Sequence, residues 1–194
     1  MLTIGKRTSR KSGPLRRFLG DRRGATALEF AILAPIFLGV VFAIIETCVA
    51  YVAEQVLLNA NDAMARKIRL GEITFNTGRP TDKTTEQFRA LFCDELVVLL
   101  SCSPEEVMIP SRLHIDVRSV TSFNAQTNTI PDPLPNTFTP GGKAAINIVR
   151  SYYTWPVIVD YLRLVTFHSP EEQRSSINQQ LLVATAVFRN EDYK

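Results

Sequence analysis

The apolar and polar positions of this chain fall into three regimes. From Phe30 to Ile45 sixteen residues pass without a polar side chain. As a helix, at about 1.5 Å per residue, that run covers roughly 24 Å, against a bilayer core of about 30 Å. The flanks Ala25–Leu28 and Thr47–Ala53 extend it to a full span, with the membrane part at about 28–52. Over Tyr51–Leu70 the pattern changes. Val52, Val56, Ala60, Ala63, Met64 and Ile68 recur near the 3.6 period, flanked by Glu54, Asn61, Asp62, Arg66 and Lys67. Gly71 is the natural stop. One helix over 25–70 is predicted, roughly 70 Å long at the same rise.

The third regime is that of a small folded domain. Ile73–Lys83, with Gly78 and Pro80, reads as a loop. Thr84 with Gln87 three residues on forms a capping box, opening a helix whose apolar face is Phe88, Leu91, Phe92, Leu96 and Leu99. Ser103-Pro104-Glu105-Glu106 repeats the cap and starts a short turn before Pro110, and Ser169-Pro170-Glu171-Glu172 does so again. Leu113–Thr121 alternates, with Leu113, Ile115 and Val117 set against His114, Asp116 and Arg118, as in a half-buried strand. Ala144–Trp155 is a second strand, with Ile146, Ile148 and Tyr152 on one side and Trp155-Pro156 breaking it; Leu181–Phe188 is a third. Asn124–Gly142 is a long loop, and Val157–Leu164 is apolar without a clear period. Sequential strands without crossover helices favour an antiparallel sheet. The expected fold class is α+β: a long N-terminal transmembrane helix continuing into a domain with a small antiparallel sheet and flanking helices.

Charge sharpens this division. Eight Lys/Arg against Asp21 give residues 1–24 a net +7, so a chain of +3 overall leaves −4 for the remainder. The basic excess belongs to an arm, which has no apolar periodicity and reads as disordered. Positive flanks stay in the cytoplasm, which puts the arm inside and the domain outside. With Phe18 its only aromatic and a membrane span beside it, the arm suits anionic lipid head groups better than nucleic acid. Two other readings of the apolar stretch are a buried core helix, for which it is too uniformly apolar, and a cleavable secretory signal, for which it is too long. A lipoprotein signal needs small residues before Cys48, where Glu46 and Thr47 stand.

Gly24 and Glu29 give the stretch a specific chemistry. A charge near the end of a membrane helix is expensive unless paired or at the surface. If a peptidase cuts after Gly24, Ala25 gains an ammonium and Glu29 lies one helical turn away, able to neutralise it or a neighbour's. A carboxylate in the first turn would also suit the helix dipole. Basic leader, Gly24, Ala25–Leu28, Glu29, Phe30 and an apolar run resemble the class III signal of type IV prepilins and pseudopilins.

Among the three cysteines, Cys48 sits in the membrane segment. Cys93 and Cys102 fall in the outer domain, where an oxidising compartment favours a bridge. On one helix they would lie about 13 Å apart, whereas a disulfide needs Cα atoms within about 7 Å; bridging therefore requires the chain to bend back before Cys102. Two free buried thiols are the alternative. His114 and His168 lack metal-ligand spacing, and no nucleophile elbow, phosphate loop or dinucleotide turn is present. The expectation is a non-enzyme without metal or cofactor.

Gly24-Ala25-Thr26-Ala27-Leu28-Glu29-Phe30-Ala31, with Pro35, Phe37, Phe42 and Ile45-Glu46, is similar to the N-terminal domain of TadE-like proteins. The likeness continues through Phe88, Cys93, Cys102 and His114–Arg118 to Ala186–Glu191. The resemblance implies a minor pseudopilin of the tight-adherence (Flp) pilus system: resident in the bacterial inner membrane, cut between Gly24 and Ala25 by a prepilin peptidase, dependent on Glu29, and partnered by other pilins, pseudopilins and platform proteins. The expected organisation is a cytoplasmic leader over 1–24, a transmembrane and stalk helix over 25–70, and a periplasmic domain over 71–194. The competing reading is a membrane-anchored periplasmic binding domain unrelated to pili.

Overall fold

The computed structural model describes residues 24–96, 99–123, 130–157 and 179–193. The expected third capping signature at Ser169 and the ambiguous run after Val157 lie outside the described residues. The chain divides into two compact units, 1–42 and 43–194. The described part of the first is the beginning of helix α1, Ala25–Arg69.

In the second unit α1 ends as Gly71 predicts. The N–H of Gly71 reaches the carbonyl of Ile68 and that of Glu72 the carbonyl of Lys67, both at 3.0 Å, the paired closure of a Schellman motif. Gly71 has φ 74°, and a Cβ there would meet the Tyr193 ring at 2.5 Å, so both backbone and space require glycine. Helix α2, Thr85–Glu95, carries the expected capping box from Thr84 and Gln87, and Ser103 caps the short α3, Pro104–Met108. In the loop before α2 the Asp82 carboxylate accepts the hydroxyls of Thr74 and Thr77, each at 2.6 Å, and the N–H groups of Thr77, Gly78 and Arg79.

Among the described residues four strands follow: β1, Leu113–Val120; β2, Thr137–Thr139; β3, Ile146–Pro156; and β4, Gln179–Arg189. Their order in the sheet is β2-β1-β3-β4. β1 and β3 pair antiparallel from Leu113–Tyr153 to Val120–Ile146, and β3 and β4 pair antiparallel from Ile146–Arg189 to Pro156–Gln179. β2 runs parallel to β1, with Asp116 beside Thr137 and Arg118 beside Thr139. The fold is thus α+β, but the sheet is mixed rather than antiparallel, and the strand that makes it so lies within the expected Asn124–Gly142 loop. A parallel neighbour needs a connection of a dozen residues or more, and the chain between β1 and β2 is long enough for one.

The core lies between one face of the sheet and the helices. It joins Ala53, Leu57, Ala60, Met64 and Ile68 of α1 and Phe88 and Phe92 of α2 to Leu113, Ile115, Val117, Phe138, Val149, Tyr153, Leu182 and Ala184. Phe88 stacks on Phe138 with ring centroids 4.3 Å apart, and Phe75 meets the same ring edge-on. In β3 Ile146, Ile148 and Tyr152 share one side as expected, and the residues that join the core, Val149 and Tyr153, come from the other side. Ile148 and Tyr152 are nevertheless buried, so this interior strand is covered on both faces.

Candidate functional site

The residues singled out for processing open α1. Gly24 is exposed, and a Cβ built on it would have nothing within 4 Å. Ala25 is the first helical residue, so Glu29 stands four positions on, on the same face and about 6 Å along the axis. The first turn contains no acid. Glu29 therefore opens the second turn, beyond the range over which the helix dipole acts strongly, and its relation to Ala25 rests on the shared face. Pro35 lies inside the helix, removing one donor to the preceding turn.

Beyond Glu29 the helix presents apolar side chains on all sides. Phe30 is 72% exposed and Ile36 67%, and Leu28, Ile32, Leu33, Phe37, Phe42 and Ile44 are likewise more than half exposed. Such a surface is unstable in water at about 25 cal/mol per Å² of apolar area. The helix is long and apolar enough to cross a membrane. Cys48 is exposed on α1 and unpaired.

The second unit is held by groups the sequence marked and by groups it did not. Cys93 and Cys102 form a disulfide with Cα atoms 5.5 Å apart. The required bend begins at Leu96, where the chain leaves helical geometry with ψ 62° and its N–H bonds Cys93. The unforeseen element is Arg89, 1% exposed although it lies on a helix that otherwise reads as amphipathic. Its guanidinium donates to the carbonyls of Val107, Leu113 and Glu106 and to Asn136 Oδ1 at 2.7 Å. Glu106, the third residue of the Ser103 cap, accepts the N–H groups of Ser111, Arg112 and Leu113 and the Ser111 hydroxyl. One arginine and one glutamate thus tie α2, α3, the start of β1 and the approach to β2. The only sequence signal was the position of Arg89 between Phe88 and Phe92.

These contacts set the protonation states nearby. Burial pushes the Glu106 carboxyl upward, but the Ser111 hydroxyl and the three N–H donors outweigh it and hold it below the ordinary carboxylate value. His114 is held below the ordinary imidazole range, first by burial and then by the Arg89 charge. Its buried Nδ1 has no hydrogen-bond partner. Asp82 is held well below the usual carboxylate range by the Thr74 and Thr77 hydroxyls. Among the described residues no three His, Cys, Asp or Glu side chains gather where they could hold a metal ion; His168 lies outside them.

The last described residues close the end of α1. The Glu191 N–H bonds the Arg69 carbonyl at 3.0 Å, and their side chains pair at 3.5 Å. Asn190 donates to the carbonyls of Gly141 and Gly142 and accepts from Asn147. Tyr193 packs on Gly71 beneath the Arg79 guanidinium, which lies 5.4 Å from the ring centroid.

Residues 24–66 match the family model of TadE-like proteins. The match begins at the glycine of the Gly24–Glu29 spacing and ends three residues before the end of α1. The resemblance read from the sequence is therefore met over this segment. No curated protein and no solved structure matches the chain.

Proposed function

We propose that this chain is a non-enzymatic minor pseudopilin or assembly protein of a tight-adherence (Flp) pilus system, held in the bacterial inner membrane by α1. Residues 1–24 lie on the cytoplasmic side and the domain over 71–194 in the periplasm, following the +7 arm and the rule that positive flanks stay inside. The observation that carries the reading is the coincidence of the TadE-like match with the exposed apolar part of α1. Its exposed residues provide the surface on which lipids, pilins and platform proteins would pack.

In this reading a prepilin peptidase cuts after Gly24, whose missing side chain lets the backbone enter an active site closely. The ammonium freed on Ala25 is neutralised by Glu29 of the same helix or of a neighbour. The test is mass spectrometry of protein purified from membranes, together with pilus counts. Wild type should begin at Ala25, and Gly24→Leu should retain the full leader. Glu29→Ala should still insert but abolish assembly, because an unpaired buried charge costs several kcal/mol. An intact wild-type N-terminus in cells making the peptidase would identify an uncleaved anchor. Normal piliation with both variants would remove the pseudopilin reading and favour an anchored binding domain. A reporter fused after Lys194 should be active only if periplasmic; cytoplasmic activity would overturn the topology.

A further inference from the structure

Contacts along the sheet fix how α1 lies within the second unit. The Asn61 side chain bonds Ser151 and reaches toward the Val149 carbonyl, midway along β3. The Arg69 carbonyl accepts the N–H of Glu191, just past the end of β4. The helix therefore runs from the sheet end that holds Leu113, Pro156 and Gln179 toward the end that holds Val120, Ile146 and Arg189. Asn61 back to Ala50 covers roughly 16 Å of helix, and Ser151 on to Pro156 covers roughly 16 Å of strand. α1 thus clears the sheet near Ala50. Burial agrees: Ala50 and Ala53 are covered, whereas Thr47, Cys48 and Val49 are exposed.

Two apolar surfaces stand exposed at this end. One is α1 itself, through Ile44, Ile45, Val49 and Val52, with Tyr51 among them. The other lies on the approach to β1. The Thr154 N–H bonds the Arg112 carbonyl at 2.9 Å, which puts the residues just before β1 beside the end of β3. Slightly upstream, where α3 closes, Met108 is 70% exposed and Ile109 73%, more than any other large apolar side chain outside α1 among the described residues. Their exposure is fixed by neighbours on both sides. The Ile109 N–H bonds the Glu105 carbonyl at 2.8 Å, and the buried Glu106 carboxylate holds the N–H groups of Ser111, Arg112 and Leu113. Pro110 between them has a fixed φ.

The residues around this pair indicate what covers it. The exposed charges beside it are Glu105 and Arg112, one of each sign, so charge does not select the partner. A partner has to accept apolar side chains and lie level with Tyr51 of α1 and Trp155 near the end of β3. Tyr and Trp gather where a bilayer meets water, and the exposed apolar part of α1 ends at this same level. On the reading of α1 as a membrane anchor, we propose that Met108 and Ile109 dock into the interfacial layer of the bilayer that α1 enters, giving the folded unit a second hold on the membrane. Such docking draws on the apolar area it buries.

The full chain carrying Cys48→Ser, reconstituted in phosphatidylcholine vesicles, tests this with lipid-borne nitroxides that quench a fluorophore on one introduced cysteine. Ile36→Cys reports the anchor and Glu105→Cys, on α3, the docked end. Gly142→Cys is the control, at the opposite end of the sheet and with nothing within 4 Å of an added Cβ. A nitroxide near the head group should remove roughly half of the emission at Glu105 and little at Gly142, while a nitroxide near the bilayer centre should quench Ile36. Adding Met108→Ser and Ile109→Ser should bring quenching at Glu105 down to the Gly142 level without moving the thermal midpoint; Met108→Leu with Ile109→Leu should keep it. Quenching at Ile36 but not at Glu105 would overturn the docking and leave the anchor standing, whereas no quenching at Ile36 would overturn both. Quenching at Glu105 that survives the serine pair would show that the helix alone sets the distance, and would overturn the role of Met108 and Ile109. A Glu105 probe shielded from water but untouched by lipid nitroxides would show cover by a second copy, and would equally overturn the proposal.

Discussion

α1 carries large apolar side chains in both its N-terminal and its C-terminal portions, but only the C-terminal ones are covered by the chain itself. From Leu28 to Ile45 the large apolar side chains point in every direction and remain exposed, whereas from Ala53 to Ile68 one face disappears into the domain core. The two portions also differ in composition. The exposed one is rich in Phe, Ile, Leu and Val. The packed one buries Ala53, Ala60 and Ala65 beside Leu57 and Met64, and sets the polar Asn61 among them. Asn61 receives the Ser151 hydroxyl at 3.1 Å and reaches toward the Val149 carbonyl, so a polar side chain is satisfied at the contact between helix and sheet. High apolar content alone does not mark a core helix. A helix destined for the core is apolar on one face and carries small residues where the backbone approaches a sheet; a helix destined for lipid is apolar all round.

The strongest way to break this comparison is to separate the two portions. Removal of residues 1–49 should leave a chain that is folded and monomeric in plain buffer, whereas the full chain should require detergent. Size-exclusion chromatography with circular dichroism reads the difference, and aggregation of the truncated chain would show that the packed portion depends on the exposed one. The next test is a matched pair of truncations in the full chain. Leu57→Ala, at a fully buried position, should lower the stability of the domain by about 2–5 kcal/mol, and Ile36→Ala should leave it unchanged, as measured by urea unfolding followed at Trp155.

The smallest effect expected is the response of the domain to pH. His114 would titrate near its ordinary value of 6.5 when unfolded and lower when folded, so the unfolded state binds more protons just below pH 6.5. Stability should therefore fall as the pH drops below about 6.5 and level off once the folded imidazole is protonated. Glu106 acts lower: its contribution is complete above its ordinary value of 4.5 and is lost as the pH falls through the depressed folded value. His114→Asn should remove the first step and keep the second. Measuring urea midpoints between pH 8 and 3 separates them.

The parts of the fold legible in the sequence are those fixed by neighbours along the chain. Thr84 with Gln87, Ser103 before Pro104, Gly71 after the helix and the alternation of Leu113–Val117 each act within a few residues. The parts not legible depend on distant partners. β2 has three residues between Pro135–Asn136 and Pro140, and becomes a strand because β1 offers an edge beside it. The buried stripe on α1 runs through Ala53, Leu57, Ala60, Met64 and Ile68, rotated by one position at its start from the stripe that Val52 and Val56 suggested. Apolar residues stand on both sides of that boundary, and only the sheet decides which are covered. The burial of Arg89 likewise follows from carbonyls brought to it by α3 and β1. At the other end of α1, the spacing of Gly24, Ala25 and Glu29 carried the resemblance to the family whose model matches residues 24–66.

The clamp between residues 190–193 and the end of α1 has a consequence in time. It joins the end of α1 to residues that follow β4, the whole sheet lying between them in the chain. Gly71 has its aromatic neighbour, and Arg69 its backbone partner, only after Tyr193 has left the ribosome. β4, which completes the sheet, arrives just before. The end of α1 therefore waits for its cover until β4 and residues 190–193 have been made. If the apolar part of α1 enters a bilayer first, it would hold that unfinished chain at one place until residues 190–193 arrive to lock it.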